Sequence, residues 1–303
     1  MGSIDQKPGM LLVHPRLLHE SGDFSPYFWR WTKLHFRDML NMSSDKDSDG
    51  KVTSCLRFAR SDEGNGYGHN PEVDTKPMFV YACLVDNLDI LKSKAYDDVS
   101  RVLNLETTRE LGEDEYPVGY SGRLEQEGKE ATVFDIVSAK FAVYEDIPTG
   151  GGATFQNLPP DLLSPSGTMP DTLSTYLIAV NVGLPVTAGD DMRKISDMLL
   201  GRLRKLLPNF IKTYSSLYRW KGREAQPKDH PFTDAEKNAG WMFMICVSGP
   251  IGPFSDITEW IPKDVFDRAV GSLGYGVDVQ VGEMVGKDVP RSYGIWEGNI
   301  FMR

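Results

Sequence analysis

Apolar runs of strand length alternate along this chain with amphipathic stretches in one recurring order: strand, helix, strand, strand, helix, strand. The order is read once over residues 10–145 and again over 173–286. This recurrence narrows the fold more than any other feature. A single β-α-β-β-α-β passage is the ferredoxin-like split βαβ arrangement, in which helices gather on one face of an antiparallel sheet. Two in succession predict an α+β chain built from tandem ferredoxin-like units.

The first copy begins with MLLVH (10–14), a strand expected to close at Pro15. A helix follows to about Asn41, with Ser25 as cap, Pro26 in the first turn, and Phe24, Phe28, Trp31, His35 and Met39 at helical spacing. VTSCLRFAR (52–60) alternates as a strand, with Val52, Leu56 and Phe58 on one face and Cys55 and Arg57 on the other. A Gly-rich loop leads to the apolar strand MFVYACLV (78–85). Leu88, Leu91, Ala95, Val99 and Val102 then predict a helix over 87–103, and TVFDIVSAKFAVYE (132–145) reads as the last strand.

The second copy has strands at 173–184, 215–222, 241–249 and 275–286, with helices at 190–210 and 255–273. Between the copies, residues 149–171 are rich in Gly, Pro and Ser, as a linker is. The expected organisation is therefore an N-terminal unit over 1–148, a linker over 149–171 and a C-terminal, degenerate unit over 172–303. A length of 303 residues suits two small domains at roughly 100–200 residues each.

Charge then limits the partners. With 33 Lys and Arg against 43 Asp and Glu, the net charge of −10 lacks the positive field that nucleic acid or an anionic membrane requires. A small aromatic or polyene molecule is the expected partner, and a homodimer is left open. No window nears the ~20 apolar residues of a membrane span, and MGSIDQKPG has no signal-like apolar run, so a cytoplasmic protein is expected. Cys55, Cys83 and Cys246 are odd in number and widely spaced, which suits reduced core thiols. His14, His19, His35, His69 and His230 form no H-x-H or H-E-x-x-H pattern, and no dinucleotide fingerprint is complete. Residues 45–56, DKDSDGKVTSCL, begin like an EF-hand loop, but Leu56 stands where a bidentate Glu belongs and a strand follows instead of a helix. An acidic turn accounts for them. No metal and no cofactor is expected.

The spacing F-x-x-W-x-x-x-H of Phe28, Trp31 and His35, followed by a strand carrying Arg57-Phe58 and a further apolar strand, resembles the EthD-like family. The resemblance covers residues 10–145 and reaches the second half in outline; there the position of His35 falls near Arg204, with no Trp before it at that spacing. It implies a dimeric α+β barrel, with the second copy standing in for a dimer partner as a fused tandem repeat. It also implies chemistry of the fungal polyketide-tailoring type, which spans decarboxylation, dehydration, cyclisation and cofactor-free oxidation.

His35 is the leading catalytic candidate. It shares the stripe of Phe24, Phe28 and Trp31, and an apolar setting favours a neutral ring usable as acid or base near pH 7. A core histidine satisfied by backbone or tyrosine is the plain alternative. His14, at a strand end, and Arg57, expected to enter the inter-sheet space and hold a carboxylate or phenolate, complete the catalytic set. Each also reads as an exposed structural residue. Tyr27, Phe28, Trp31, Tyr67, His69, Tyr81 and Trp220 are candidates for substrate binding, with Tyr67 and His69 on a lid formed by the 64–70 loop. The expected function is a cofactor-independent lyase, cyclase or isomerase of secondary metabolism. The alternatives are a cofactor-free or haem-dependent oxygenase and a non-catalytic carrier of a hydrophobic metabolite.

Overall fold

The computed structural model describes residues 7–18, 25–42, 50–60, 79–104, 110, 125–126, 129–149, 154, 173–182, 187, 189–222, 225, 227, 240–250 and 291–302. Strands β1 (Gly9–Leu17), β2 (Val52–Arg60) and β3 (Phe79–Val85) accompany helix α1 (Ser25–Leu40) and the short helix α2 (Lys94–Asp98). A two-residue pair, β4 (Glu125–Gln126) and β5 (Lys129–Glu130), precedes the single turn α3 (Val133–Ile136) and strand β6 (Val137–Ile147). The second half supplies β7 (Leu173–Val182), α4 (Gly189–Leu206), β8 (Lys212–Trp220), β9 (Trp241–Pro250) and β10 (Arg291–Met302).

Eight of these strands close into one antiparallel barrel in the order β1-β3-β2-β10-β7-β9-β8-β6, with β6 returning to β1. The runs β6-β1-β3-β2 and β10-β7-β9-β8 have the same internal order, and they meet at the β2–β10 and β6–β8 seams. Period-2 alternation then gives the sheet two apolar faces. Met10, Leu12, Leu56, Ala82 and Tyr144 turn inward with Tyr214, Tyr218, Met242 and Met244 of the other half to fill the barrel. Leu11, Tyr81, Cys83 and Phe141 turn outward beneath α1. The fold is thus a mixed α+β arrangement around a curled antiparallel sheet. Among the described residues, no helix is long and apolar enough to cross a membrane.

Several elements depart from the sequence expectations. β1 runs through Pro15, which is opposite Ala139 of β6, while β3 pairs with β1 only as far as Val13. The expected helix over 87–103 is a 3-10 turn (Leu88–Lys92) and α2, because Ser93 caps a new start by accepting from the Tyr96 N–H and Val99 is already extended. Residues 133–136 form a helical turn ahead of β6, closed by Asp135 accepting from the Thr132 N–H at 2.6 Å. The expected 255–273 helix, the 275–286 strand, Phe24, the 45–49 turn and nearly all of the 149–171 linker lie outside the described residues. The strand that pairs between β7 and β2 is β10, at 291–302.

Close approach at the barrel wall gives a direct stability test. A Cβ on Gly9 would overlap the Tyr144 carbonyl oxygen and stand 2.6 Å from Leu88 Cδ2, whereas one on Gly201, within α4, meets nothing within 4 Å. Gly9→Ala is expected to cost about 1–3 kcal/mol through overpacking. Gly201→Ala should stabilise by roughly 0.5–1 kcal/mol, since it removes a glycine from a helix interior. Urea unfolding of both variants checks the opposite signs.

Candidate functional site

Between the outward face of the first-half sheet and α1 lies a pocket of about 550 Å³, its open mouth included. Leu11, Val13 and Pro15 of β1, Tyr81 and Cys83 of β3, and Val137, Ala139 and Phe141 of β6 form its floor. Phe28, Trp31, His35, Phe36 and Met39 of α1 roof it, and Tyr96, Arg101, Val133 and Phe134 close one side. The roof follows from helical period: residues 28, 31, 35 and 39 fall on one stripe, and burying that stripe against the sheet holds the helix in place.

His35 is 8% exposed and stacks on Trp31, with ring centroids 4.2 Å apart and planes 15° from parallel. Its Nδ1 lies 3.2 Å from the Ser100 carbonyl oxygen. A carbonyl can only accept, so Nδ1 carries the proton, and in the neutral ring the basic lone pair is on Nε2. The chain around Ser100 is itself held. Arg101 Nη1 donates to the carbonyls of Tyr96 (3.1 Å) and Val99, and its guanidinium sits 5.0 Å from the Tyr96 ring centroid. Ser100 Oγ accepts from the Val102 N–H.

Opposite, Tyr81 is buried, and its hydroxyl is 3.1 Å from Thr32 Oγ1. Burial pushes its pKa up to about 12, while the Arg57 charge and hydrogen bonds from Thr32 and Arg57 pull the other way. The phenol is therefore protonated at neutral pH. Phe28 stacks on both Trp31 (6.3 Å, 15°) and Tyr81 (6.0 Å, 13°), so three aromatic planes are nearly parallel along the pocket.

The structure brings together Phe28, Trp31, His35 and Tyr81. Tyr27 packs against the same core without lining the pocket. Tyr67 and His69 lie outside the described residues. Trp220 stands across the β6–β8 seam from Tyr144 and packs on the barrel interior, away from His35. Arg57 requires a correction. The inter-sheet space receives Leu56, while Arg57 turns to the helix side, where it is opposite Tyr81 in register and its guanidinium is 6.0 Å from the Tyr81 ring. A register shift between Val52 and Ser54 also puts Val52 on the face of Cys55, against simple alternation. Arg204 in the second half donates to Thr213 Oγ1 at 3.2 Å in an exposed pair. Cys55, Cys83 and Cys246 are free and buried.

His14 alternates with Leu11, Val13 and Pro15 and so faces away from this pocket, on the side of Met10 and Leu12 and opposite Lys140 in register. Burial lowers its pKa from 6.5 to about 4, with the Lys140 charge adding to the shift. The unfolded chain therefore binds more protons between these values, and the contribution of neutral His14 is complete above pH 6.5 and lost as pH falls toward 4. Asp146, raised by burial to about 6, acts with the opposite sign over part of that range and is common to both proteins in a comparison with His14→Gln. The variant is expected to lose less stability than the wild type between pH 7 and pH 4.5, as read by urea unfolding at the two pH values.

Sequence reasoning missed Leu11, Val13, Cys83, Tyr96, Arg101, Phe134 and Phe141 as pocket residues. The parity of Tyr81 carries the signal for several of them, since Val13 pairs with both Tyr81 and Phe141, and Leu11 with Cys83.

No family model and no curated protein sequence matches the chain. Among solved structures, it is similar to a candidate monooxygenase of Lactobacillus acidophilus (TM-score 0.38, 9% identity, 96% of this chain and 94% of that one). A candidate monooxygenase of Fusobacterium nucleatum has a TM-score of 0.38 at 10% identity, over 97% of this chain and 94% of that one. A chlorite dismutase of Candidatus Nitrospira defluvii has 0.41 at 9% identity, over 96% and 92%. Likeness at this level carries no argument about the reaction; the fold described above rests on strand order and register.

Proposed function

We propose that this chain is a cofactor-independent enzyme of the EthD-like, secondary-metabolite tailoring kind, a lyase, cyclase or isomerase acting on a polyketide-like substrate bound beneath α1. In this reading the chain comprises two ferredoxin-like units, over 1–148 and 172–303 with a linker between, closed as a dimeric α+β barrel within one polypeptide. The matching strand orders of the two runs support it. The observation that carries the functional reading is the His35 Nδ1 contact with the Ser100 carbonyl inside an apolar pocket, which fixes a tautomer whose Nε2 can take a proton.

The chemistry then follows from the opposed walls. Nε2 of His35 removes a proton from carbon next to a substrate carbonyl, giving an imidazolium and an enolate. The protonated Tyr81 dipole, backed by the Arg57 charge, stabilises the developing oxyanion from across the pocket more than the ground state. Return of the proton at another atom gives isomerisation; loss of a β-hydroxyl as water gives a lyase.

Proton exchange tests this with simple aryl ketones in place of the natural substrate. In D2O the purified protein should speed deuterium incorporation α to the carbonyl of 1-tetralone or anthrone, followed by NMR. Exchange no faster than in buffer would overturn the reading. Tight binding without exchange would favour the carrier, and oxygen uptake or a Soret band tied to turnover would favour an oxygenase.

A further inference from the structure

Among the described residues, several polar atoms around the pocket are matched to protein partners. Tyr81 Oη meets Thr32, His35 Nδ1 meets the Ser100 carbonyl, and Arg101 is engaged by the backbone of 96–99 and by the Tyr96 ring. Trp31 is different. It lines the pocket, is 7% exposed, and its indole Nε1–H is shielded from solvent with no hydrogen-bond partner among the described residues. Buried donors in folded proteins are paired in about nine cases of ten or more, because an unpaired one forfeits its hydration for nothing. An unpaired donor on a residue that lines a pocket is a place for an acceptor that arrives with the ligand.

We infer that the indole N–H of Trp31 is the binding anchor of this pocket, and that it selects flat, apolar ring systems carrying a neutral carbonyl oxygen. The inference rests on the reading of the pocket as the substrate site and adds the class of ligand. Neutrality follows from the walls, which are almost wholly hydrocarbon around the anchor; a carboxylate would lose its hydration there, with Nη1 of Arg101 already held by backbone carbonyls. Flatness follows from the near-parallel planes of Phe28, Trp31 and Tyr81. The stack of Trp31 on His35, with ring centroids 4.2 Å apart, puts the indole and the proposed base side by side in the same wall.

A matched pair of probes, 1-tetralone and tetralin, tests the anchor. The wild type is expected to bind the ketone at least 10-fold more tightly than the hydrocarbon, about 1.4 kcal/mol. In Trp31→Phe, which keeps a ring on the stack and removes the donor, the ratio should fall to about 1 whatever the change in tetralin affinity. His35→Gln keeps the indole and should keep the preference. In the wild type labelled with ¹⁵N-tryptophan, one indole N–H resonance should move downfield with 1-tetralone and not with tetralin, a measurement that does not depend on the folding of any variant. Equal affinities for the two probes, or a preference retained in Trp31→Phe, would overturn the anchor while leaving proton exchange by His35 to stand or fall separately. Binding of neither probe would overturn both.

Discussion

Replacing His35 by glutamine is expected to slow α-proton exchange of a bound aryl ketone by about 10²–10⁴-fold, the usual contribution of a positioned acid–base group. Glutamine makes this a sharp test, because its amide N–H can still donate to the Ser100 carbonyl and its bulk resembles that of the imidazole, yet no atom of it accepts a proton near neutral pH. Affinity for the ketone should change little, so the loss falls on kcat and leaves KM close to its wild-type value. A core histidine with no chemical role predicts the reverse pattern: a change in unfolding free energy with exchange rates preserved. Tyr81→Phe should act more mildly and in the same direction, because it removes the donor on the opposite wall but leaves the base. Exchange rates for the two variants, measured beside their urea midpoints, separate chemistry from stability.

How far this site was legible in the sequence depended on the range over which each residue gets its place. Phe28, Trp31 and His35 are set by helical period within one segment, and local pattern suffices for them. The limits of β2 and β3 were equally plain, since a polar turn and a Gly-rich loop bound their apolar runs. The faces taken by Val52, Arg57 and His14 were hidden for a different reason. Which face a strand residue takes depends on one-residue register, and a shift between Val52 and Ser54, or the choice between the two faces of β1, is decided by strands about 25 to 130 residues away. Tyr96 and Arg101 were hidden because a periodic apolar stripe suggested one long helix, whereas the side-chain cap of Ser93 restarts the chain and the extended Val99 ends it. β10 carries Gly294 and Gly298 and so gives a weak strand signal. Its place comes from the unpaired edges of β2 and β7, which a local reading does not see.

Trp241→Ala, in the half without the pocket, is expected to destabilise the protein by about 3–5 kcal/mol and to take the pocket with it. Trp241 is 1% exposed, one of the largest fully buried side chains among the described residues, and its Cη2 is 3.4 Å from where a Cβ of Gly189 would stand, so the indole reaches the start of α4. Truncation leaves a cavity beneath the helix whose buried stripe includes Met192, Ile195, Leu199 and Leu203. The barrel then transmits the loss. Tyr214, Tyr218, Met242 and Met244 pack in one interior with Met10, Leu12, Leu56 and Ala82, and opening the second half would bare both that core and the β2 and β6 edges. Neither half can retain its fold while the other melts, so unfolding followed by circular dichroism and by release of bound 1-tetralone should give one transition. In Trp241→Ala that transition moves down by on the order of 10 °C, at about 2–4 °C per kcal/mol for a chain of this size. Two separate transitions, with ketone binding surviving the first, would show that the first-half sheet holds the pocket without the shared core.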